Sequence, residues 1–216
     1  MRLLLIALSS AVLFAQAPAP APKKAAAPAP KAPAAPAPAK NFKLSGNPAA
    51  KVTLEVYTDY ECPSCRNLYM ETIPGVMAEY VATGKIQLLH RDFPLPMHTH
   101  TKLATRYANA AGQIGRYELA VAQIFRSQPE WSQNGNIDGQ VAKVLAPADM
   151  AKVRELVKND THLDDTVTAD VAMGNRDALN QTPTIIVVSK GKRTKIDGAV
   201  PFVILKSYID QILAKS

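Results

Sequence analysis

Val52, Leu54 and Val56 alternate with Thr53 and Glu55, a period of two that predicts a β-strand over residues 52–57. Past residue 62 the period lengthens. Leu68, Tyr69, Ile73, Val76, Met77, Tyr80 and Val81 recur at helical spacing, with an interruption expected at Pro74-Gly75 and an end at Thr83-Gly84. Ile86-Gln87-Leu88-Leu89 reads as a second strand, parallel to the first because a whole helix joins them. Pro94-Leu95-Pro96 then turns the chain into a helical region. Its apolar positions are Leu103, Tyr107, Ala111 and Ile114, then Tyr117, Ala120, Ile124 and Phe125, broken near Pro129 with Trp131 in the loop beyond. Val141, Val144 and Leu145 follow, then Met150, Val153, Leu156 and Val157, and last Leu163, Val167 and Val171 behind a capping box at Thr161-x-x-Asp164. β structure returns at residues 184–188, turns through Lys190-Gly191-Lys192 and pairs with residues 194–196 as an antiparallel hairpin. A final helix from Pro201 presents Ile204, Leu205, Tyr208, Ile209, Ile212 and Leu213 to one face of the sheet. The pattern is that of an α/β fold with helices at about 97–180 inserted between the second and third core strands.

The N-terminus breaks this pattern. Met1 and Arg2 precede an apolar stretch from Leu3 to Phe14 that ends in Ala15-Gln16-Ala17, so residues 1–17 read as a secretory signal peptide. The stretch is shorter than the ~20 residues of a spanning helix, and an uncleaved signal anchor, favoured by Pro18 directly after the Ala-x-Ala, is the alternative. Either way the domain lies in an oxidising compartment, periplasmic or otherwise extracytoplasmic. Residues 18–40 are almost entirely Ala and Pro with lysines, which cannot pack a core; they read as a polyproline-II linker reaching up to ~70 Å, or as a disordered tail. Residues 41–216 have the length of one domain. Arg2, Lys23, Lys24, Lys31 and Lys40 supply five of the formal net charge of +7, so the domain is only weakly basic. No basic stripe with interleaved aromatics is present, and no nucleic-acid partner is implied.

The chemistry concentrates in Tyr60-Glu61-Cys62-Pro63-Ser64-Cys65-Arg66, which holds both cysteines of the chain between the first strand and the helix that follows. At a helix N-terminus the free N–H groups and the dipole favour a thiolate, which brings a cysteine pKa from about 8.5 to ~3.5–7.5. Cys62 is then the nucleophile, and Cys65, one turn on, can resolve a mixed disulfide. A zinc site would have to recruit two of His90, His98, His100 and His162, none in a finger-like spacing, and no metal is expected. A purely structural disulfide would close the shortest of loops for the least stabilisation. Glu61 opposes the Cys62 thiolate and Arg66 favours it, each weakly; Pro63 suits the first helical turn, and Ser64 offers only a neutral hydroxyl. His98 and His100 read as helix-capping or core-bonded histidines rather than ligands.

Four ordered segments carry a resemblance: Thr58-Asp59-Tyr60-Glu61-Cys62-Pro63-Ser64-Cys65, Arg91-Asp92-Phe93-Pro94-Leu95, Gln181-Thr182-Pro183-Thr184 and Asp197-Gly198-Ala199. Together they resemble the DsbA-like branch of the thioredoxin superfamily. The resemblance implies a thioredoxin-like fold with a helical insertion, Cys62 and Cys65 as catalytic thiols, and a cis proline at Pro183, where the sequence alone would favour a trans proline opening a strand. Thr182 and Pro183 would bind substrate backbone beside the sulfurs, while Pro63, Ser64 and Glu61 modulate the site. Relatives carry a buried acid on the first strand, and the matching position here is Val56. Glu55, one residue away, points to the other face unless a bulge restores it; Asp59 and Glu61 are further candidates for a proton relay.

The expected function is an exported thiol–disulfide oxidoreductase that donates its Cys-Pro-Ser-Cys disulfide to cysteine-containing substrate proteins. A reductase, less readily an isomerase, is the alternative within the same chemistry, and a chaperone or binding module without turnover is the alternative outside it. No bound cofactor is required, because the electrons reside in the two sulfurs. The resemblance implies a membrane redox partner for reoxidation, and a monomer is expected.

Overall fold

β2 (Val52–Thr58) is buried along nearly its whole length, which places it at the centre of a five-stranded sheet of order β1-β3-β2-β4-β5. The computed structural model describes residues 41–215; the signal and linker expected over residues 1–40 lie outside the described residues. β3 (Gln87–Asp92) runs parallel to β2, as expected for strands joined by a helix. β1 (Leu44–Gly46), β4 (Thr184–Ser189) and β5 (Lys192–Asp197) run antiparallel to their neighbours. Lys190 and Gly191, both at positive φ (49° and 74°), form the two-residue turn that matches the twist of the β4–β5 hairpin.

The helical run after β2 contains α1 (Pro63–Asn67) and α2 (Ile73–Val76), and the interruption expected at Pro74-Gly75 does not occur. π-helical segments at Leu68–Thr72 and Met77–Val81 flank α2. Their wider turns let the chain pass a proline, which has no N–H to donate, without leaving the helix. Gly75 serves packing here: a Cβ would come within 2.8 Å of the Phe202 ring on α9 (Phe202–Leu213). This layer and α9 close one core over Val52, Leu54, Val56, Ile185 and Val187. Leu205 and Ile209 are its α9 contribution, whereas Ile204, expected on the apolar face, is 59% exposed.

The insertion consists of α3 (Thr101–Gln113), α4 (Tyr117–Arg126), α5 (Gln128–Asn134), α6 (Ile137–Val141), α7 (Pro147–Asn159), a 3₁₀ turn (Thr161–Asp164) and α8 (Asp165–Arg176). α3 packs through Ala104, Ala108 and Ala111 while Leu103 turns outward, 39% exposed, contrary to the expected apolar face. Gly112 lets the ring of Phe42, from before β1, lie against the α3 backbone where a Cβ would clash. Trp131 is not in a loop. Pro129 opens α5 instead of ending a helix, and Trp131 is fully buried with its indole N–H donating to the Ile124 carbonyl at 2.7 Å. The capping box at Thr161 is not formed either, because the Asp160 side chain accepts the His162 N–H in its place.

A buried ionic network ties insertion to sheet. Lys43, just before β1, pairs with Asp92 of β3 and, at 3.0 Å, with Asp170 of α8. Asp170 also holds Arg91 at 2.8 Å, and Glu55 of β2 takes Arg91 at 3.4 Å and Arg193 of β5 at 2.9 Å. Burial would lower the Lys43 pKa, but the adjacent Asp92 and Asp170 carboxylates raise it; burial would raise Glu55, but the hydrogen bond from Arg193 and the charge of Arg91 hold it down.

Candidate active site

β2 delivers the chain to a turn in which the Cys62 N–H donates to the Asp59 carbonyl at 3.2 Å, and this sets Cys62 as the N-cap of α1 in extended conformation (φ −72°, ψ 120°). Pro63 occupies the first helical position, exposed, with Ser64 half-buried behind it. Both cysteines are free thiols. Cys62 keeps a sliver of exposure, 7%, and Cys65 has none. The next strand of the site arrives from the far end of the insertion: the Thr182–Pro183 peptide bond is cis, and the Thr182 carbonyl accepts from the Cys62 thiol at 3.4 Å.

The two sulfurs sit in opposite electrostatic surroundings. A hydrogen bond from the Cys65 thiol brings the Cys62 pKa down to about 5; burial opposes this, and the Thr182 hydroxyl and the backbone N–H groups of Cys65 and Ser64 reinforce it. Thr182 Oγ1 is buried with no other hydrogen-bond partner, which leaves its hydroxyl available to the Cys62 sulfur. Burial, followed by the proximity of Cys62, pushes the Cys65 thiol up, although the Asp59 N–H donates to its sulfur at 3.4 Å. Such an arrangement yields one reactive thiolate at the surface and one protonated thiol beneath it.

The charges expected to compete at Cys62 are engaged elsewhere. The Glu61 carboxylate accepts the His100 N–H at 2.7 Å, and the Arg66 side chain donates to the Phe125 carbonyl at 3.1 Å. His98 is bonded through Nδ1 to Asp59 at 2.8 Å, and His100 is the N-cap of α3 without a side-chain capping bond. Val56 is a core residue, and the regular register of β2 with β3 and β4 rules out the bulge that would turn Glu55 inward. On the other face, as its register requires, Glu55 is buried and salt-bridged to Arg193 and Arg91. The acid closest to the site in burial and position is Asp59: fully buried, it accepts the Glu61 and Leu95 N–H groups at 2.7 and 2.6 Å besides His98.

One residue of the site carried no signal in the sequence. Gln128, on α5, donates its side-chain amide to the carbonyls of Tyr60 at 2.7 Å and Cys62 at 2.9 Å. A glutamine among many in a helical region has no spacing or neighbour that singles it out.

Comparison with known proteins agrees with this geometry. The Thioredoxin family matches residues 40–211. Among solved structures, alpha-DsbA1 of Wolbachia pipientis superposes with a TM-score of 0.68 at 20% identity, over 80% of this chain and 91% of that one. Oxidised BdbD of Bacillus subtilis gives 0.66 at 20% identity over 80% and 92%, and a thioredoxin-like oxidoreductase of Silicibacter pomeroyi DSS-3 gives 0.66 at 22% over 80% and 92%. The Na(+)/H(+) antiporter NhaA 1 of Mycolicibacterium gilvum is 31% identical over 160 residues, which are 71% of this chain but only 24% of the antiporter. Among the described residues no helix is long and apolar enough to cross a membrane. With a central sheet, a helical insertion, a two-cysteine turn at a helix start and a cis proline opposite it, the chain belongs to the thioredoxin family and has the fold of its DsbA-like members.

Proposed function

We propose that the chain is an exported thiol–disulfide oxidoreductase acting as an oxidant of cysteine-containing proteins, with residues 1–17 as its signal, 18–40 as a spacer and 41–216 as its catalytic domain. The observation that carries this reading is the asymmetry of the thiols: Cys62 is held near pKa 5 at a helix start while Cys65 is buried and raised. A substrate thiolate attacks Cys62 of the disulfide, the Cys62–Cys65 bond breaks, and Cys65 leaves with the bond's electrons and takes up a proton. The Asp59 N–H at the Cys65 sulfur stabilises that leaving thiolate before protonation. A second substrate thiolate then attacks the substrate sulfur of the mixed disulfide and expels Cys62. Cys62 leaves easily because its thiolate is stable, and exchange is faster from a leaving thiol of lower pKa. The substrate gains a disulfide and the enzyme is left as the dithiol, to be reoxidised by a membrane redox partner outside this chain. In the mixed disulfide the Thr182 backbone pairs with extended substrate backbone, a role supported by the contact of its carbonyl with Cys62.

Oxidation of a reduced, unfolded protein by the disulfide form tests the proposal, with insulin reduction as the counter-assay. Wild type is expected to oxidise its substrate stoichiometrically, and Cys62→Ser to be inert in both assays. Equal behaviour of the two proteins overturns the catalytic reading in favour of a chaperone or binding module.

A further inference from the structure

We infer that Gln128 is a positioning residue for the Cys62 nucleophile, supplied by the helical insertion: its side-chain amide clamps the Tyr60 and Cys62 carbonyls and fixes the turn from which the sulfur is presented. The inference rests on the proposed role of Cys62 as the attacked sulfur. Both acceptors are carbonyls, so the amide must present its NH₂ to them; the opposite orientation would set oxygen against oxygen. The contact is built to be rigid. Gln128 is 4% exposed and lies between two anchors of α5, Ser127, whose hydroxyl donates to the Gln123 carbonyl at 2.7 Å, and Trp131, locked to Ile124. From the facing side Arg66 returns a bond to Phe125 of α4, and the Tyr60 ring packs on the Phe125 ring at 5.0 Å. The insertion thus grips the turn at residues 60, 62 and 66, and Gln128 is its point of contact with the backbone of Cys62.

Two consequences follow for the sulfur. The Cys62 carbonyl accepts both the Gln128 amide and the first helical N–H, from Arg66 at 3.2 Å, so the amide reinforces the helix start at which the thiolate is stabilised. The amide also places the positive end of its dipole on the backbone carbonyl of the residue that carries the sulfur, in a low-dielectric setting. Loss of the amide raises the Cys62 pKa, and a carboxylate in its place raises it further.

The test is the pH profile of iodoacetamide labelling at Cys62 in the reduced full chain, for wild type, Gln128→Met and Gln128→Glu, with thermal unfolding measured on each. Met keeps the length and removes the donors; Glu adds an anion. The midpoint is expected to rise in the order wild type, Met, Glu, with Glu about one pH unit or more above wild type. If Gln128→Glu does not fold, the Met variant decides alone by its shift against wild type. Identical midpoints in wild type and Gln128→Met, with only the melting temperature changed, overturn the inference and make Gln128 a packing residue. A wild-type Cys62 that titrates as an ordinary thiol overturns the proposed function itself, a result independent of how the variants compare.

Discussion

The buried ionic network and the thiol pair are built on opposite plans. In the network of Lys43, Asp92, Asp170, Arg91, Glu55 and Arg193 every charge meets an opposite one, and the shifts of Lys43 and Glu55 both strengthen the charged forms. At the thiol pair nothing of the kind happens: one sulfur is driven toward its anion and its neighbour away from it. Compensation fixes position, because a matched network has no state to change to. Imbalance stores a difference between protonation states, on which thiol–disulfide exchange can draw. The network pins β2, β3, β5 and α8 to one another and to the segment leading into β1, and it shares no residue with the contacts that hold the Cys62 turn.

That contrast can be broken from either side. The largest effect is expected at the thiols, where Cys62→Ser removes disulfide exchange altogether while a denaturant titration shows the fold retained. Next comes the network. Lys43→Met leaves Asp92 buried without its cation and Asp170 with Arg91 alone, and is expected to cost about 3–5 kcal/mol of unfolding free energy, with the Cys62 labelling midpoint unmoved. A shift of that midpoint would show that the two groups are not independent.

The pH dependence sharpens the contrast further. Cys62 is lowered from an ordinary value near 9 to about 5, so it stabilises the reduced form; the contribution is complete above about 9, shrinks as pH falls, and is gone below about 5. The disulfide form has no such thiol. Reduced minus oxidised stability is therefore expected to grow by about 2–4 kcal/mol between pH 5 and pH 8, measured by unfolding both forms. Cys65, raised, acts only above its ordinary value and leaves this window untouched. The smallest effect belongs to the rim of the network: Arg193 is about one-third exposed, and Arg193→Met is expected to cost about 1 kcal/mol at neutral pH. Because Arg193 holds both Glu55 and Asp177 below their ordinary values, the loss should vanish as pH falls through the pKa values of these two carboxylates, which acid titration of both proteins would show.

Much of this architecture was legible because it is written in local patterns. The alternation at residues 52–56, the run at 184–188 and the two cysteines before a helical period are features of neighbouring residues, and they became β2, β4 and the Cys62–α1 turn. What escaped depends on contacts between distant parts of the chain. β1 is three residues long with Leu44 its only large apolar residue, and it exists because β3 offers an edge. Lys43 is buried only because Asp92 and Asp170, far along the sequence, meet it. Pro74 and Pro129 read as breaks, yet one is carried by π-helical turns and the other starts α5. Asp59 and Gln128 were the least legible parts of the site, since the burial of one and the two-carbonyl contact of the other arise only once loop 93–100 and α5 fold against the turn.

The most direct test of the central claim is the reduction potential of the Cys62–Cys65 pair, measured by equilibrium with glutathione redox buffers. A stabilised Cys62 thiolate favours the dithiol and so raises the potential, while the neutral Ser64 between the cysteines adds no positive charge to raise it further. The predicted value lies above the roughly −270 mV of thioredoxin and below the roughly −120 mV of the most oxidising DsbA. A value at or below the thioredoxin level would contradict the account and make the protein a reductase.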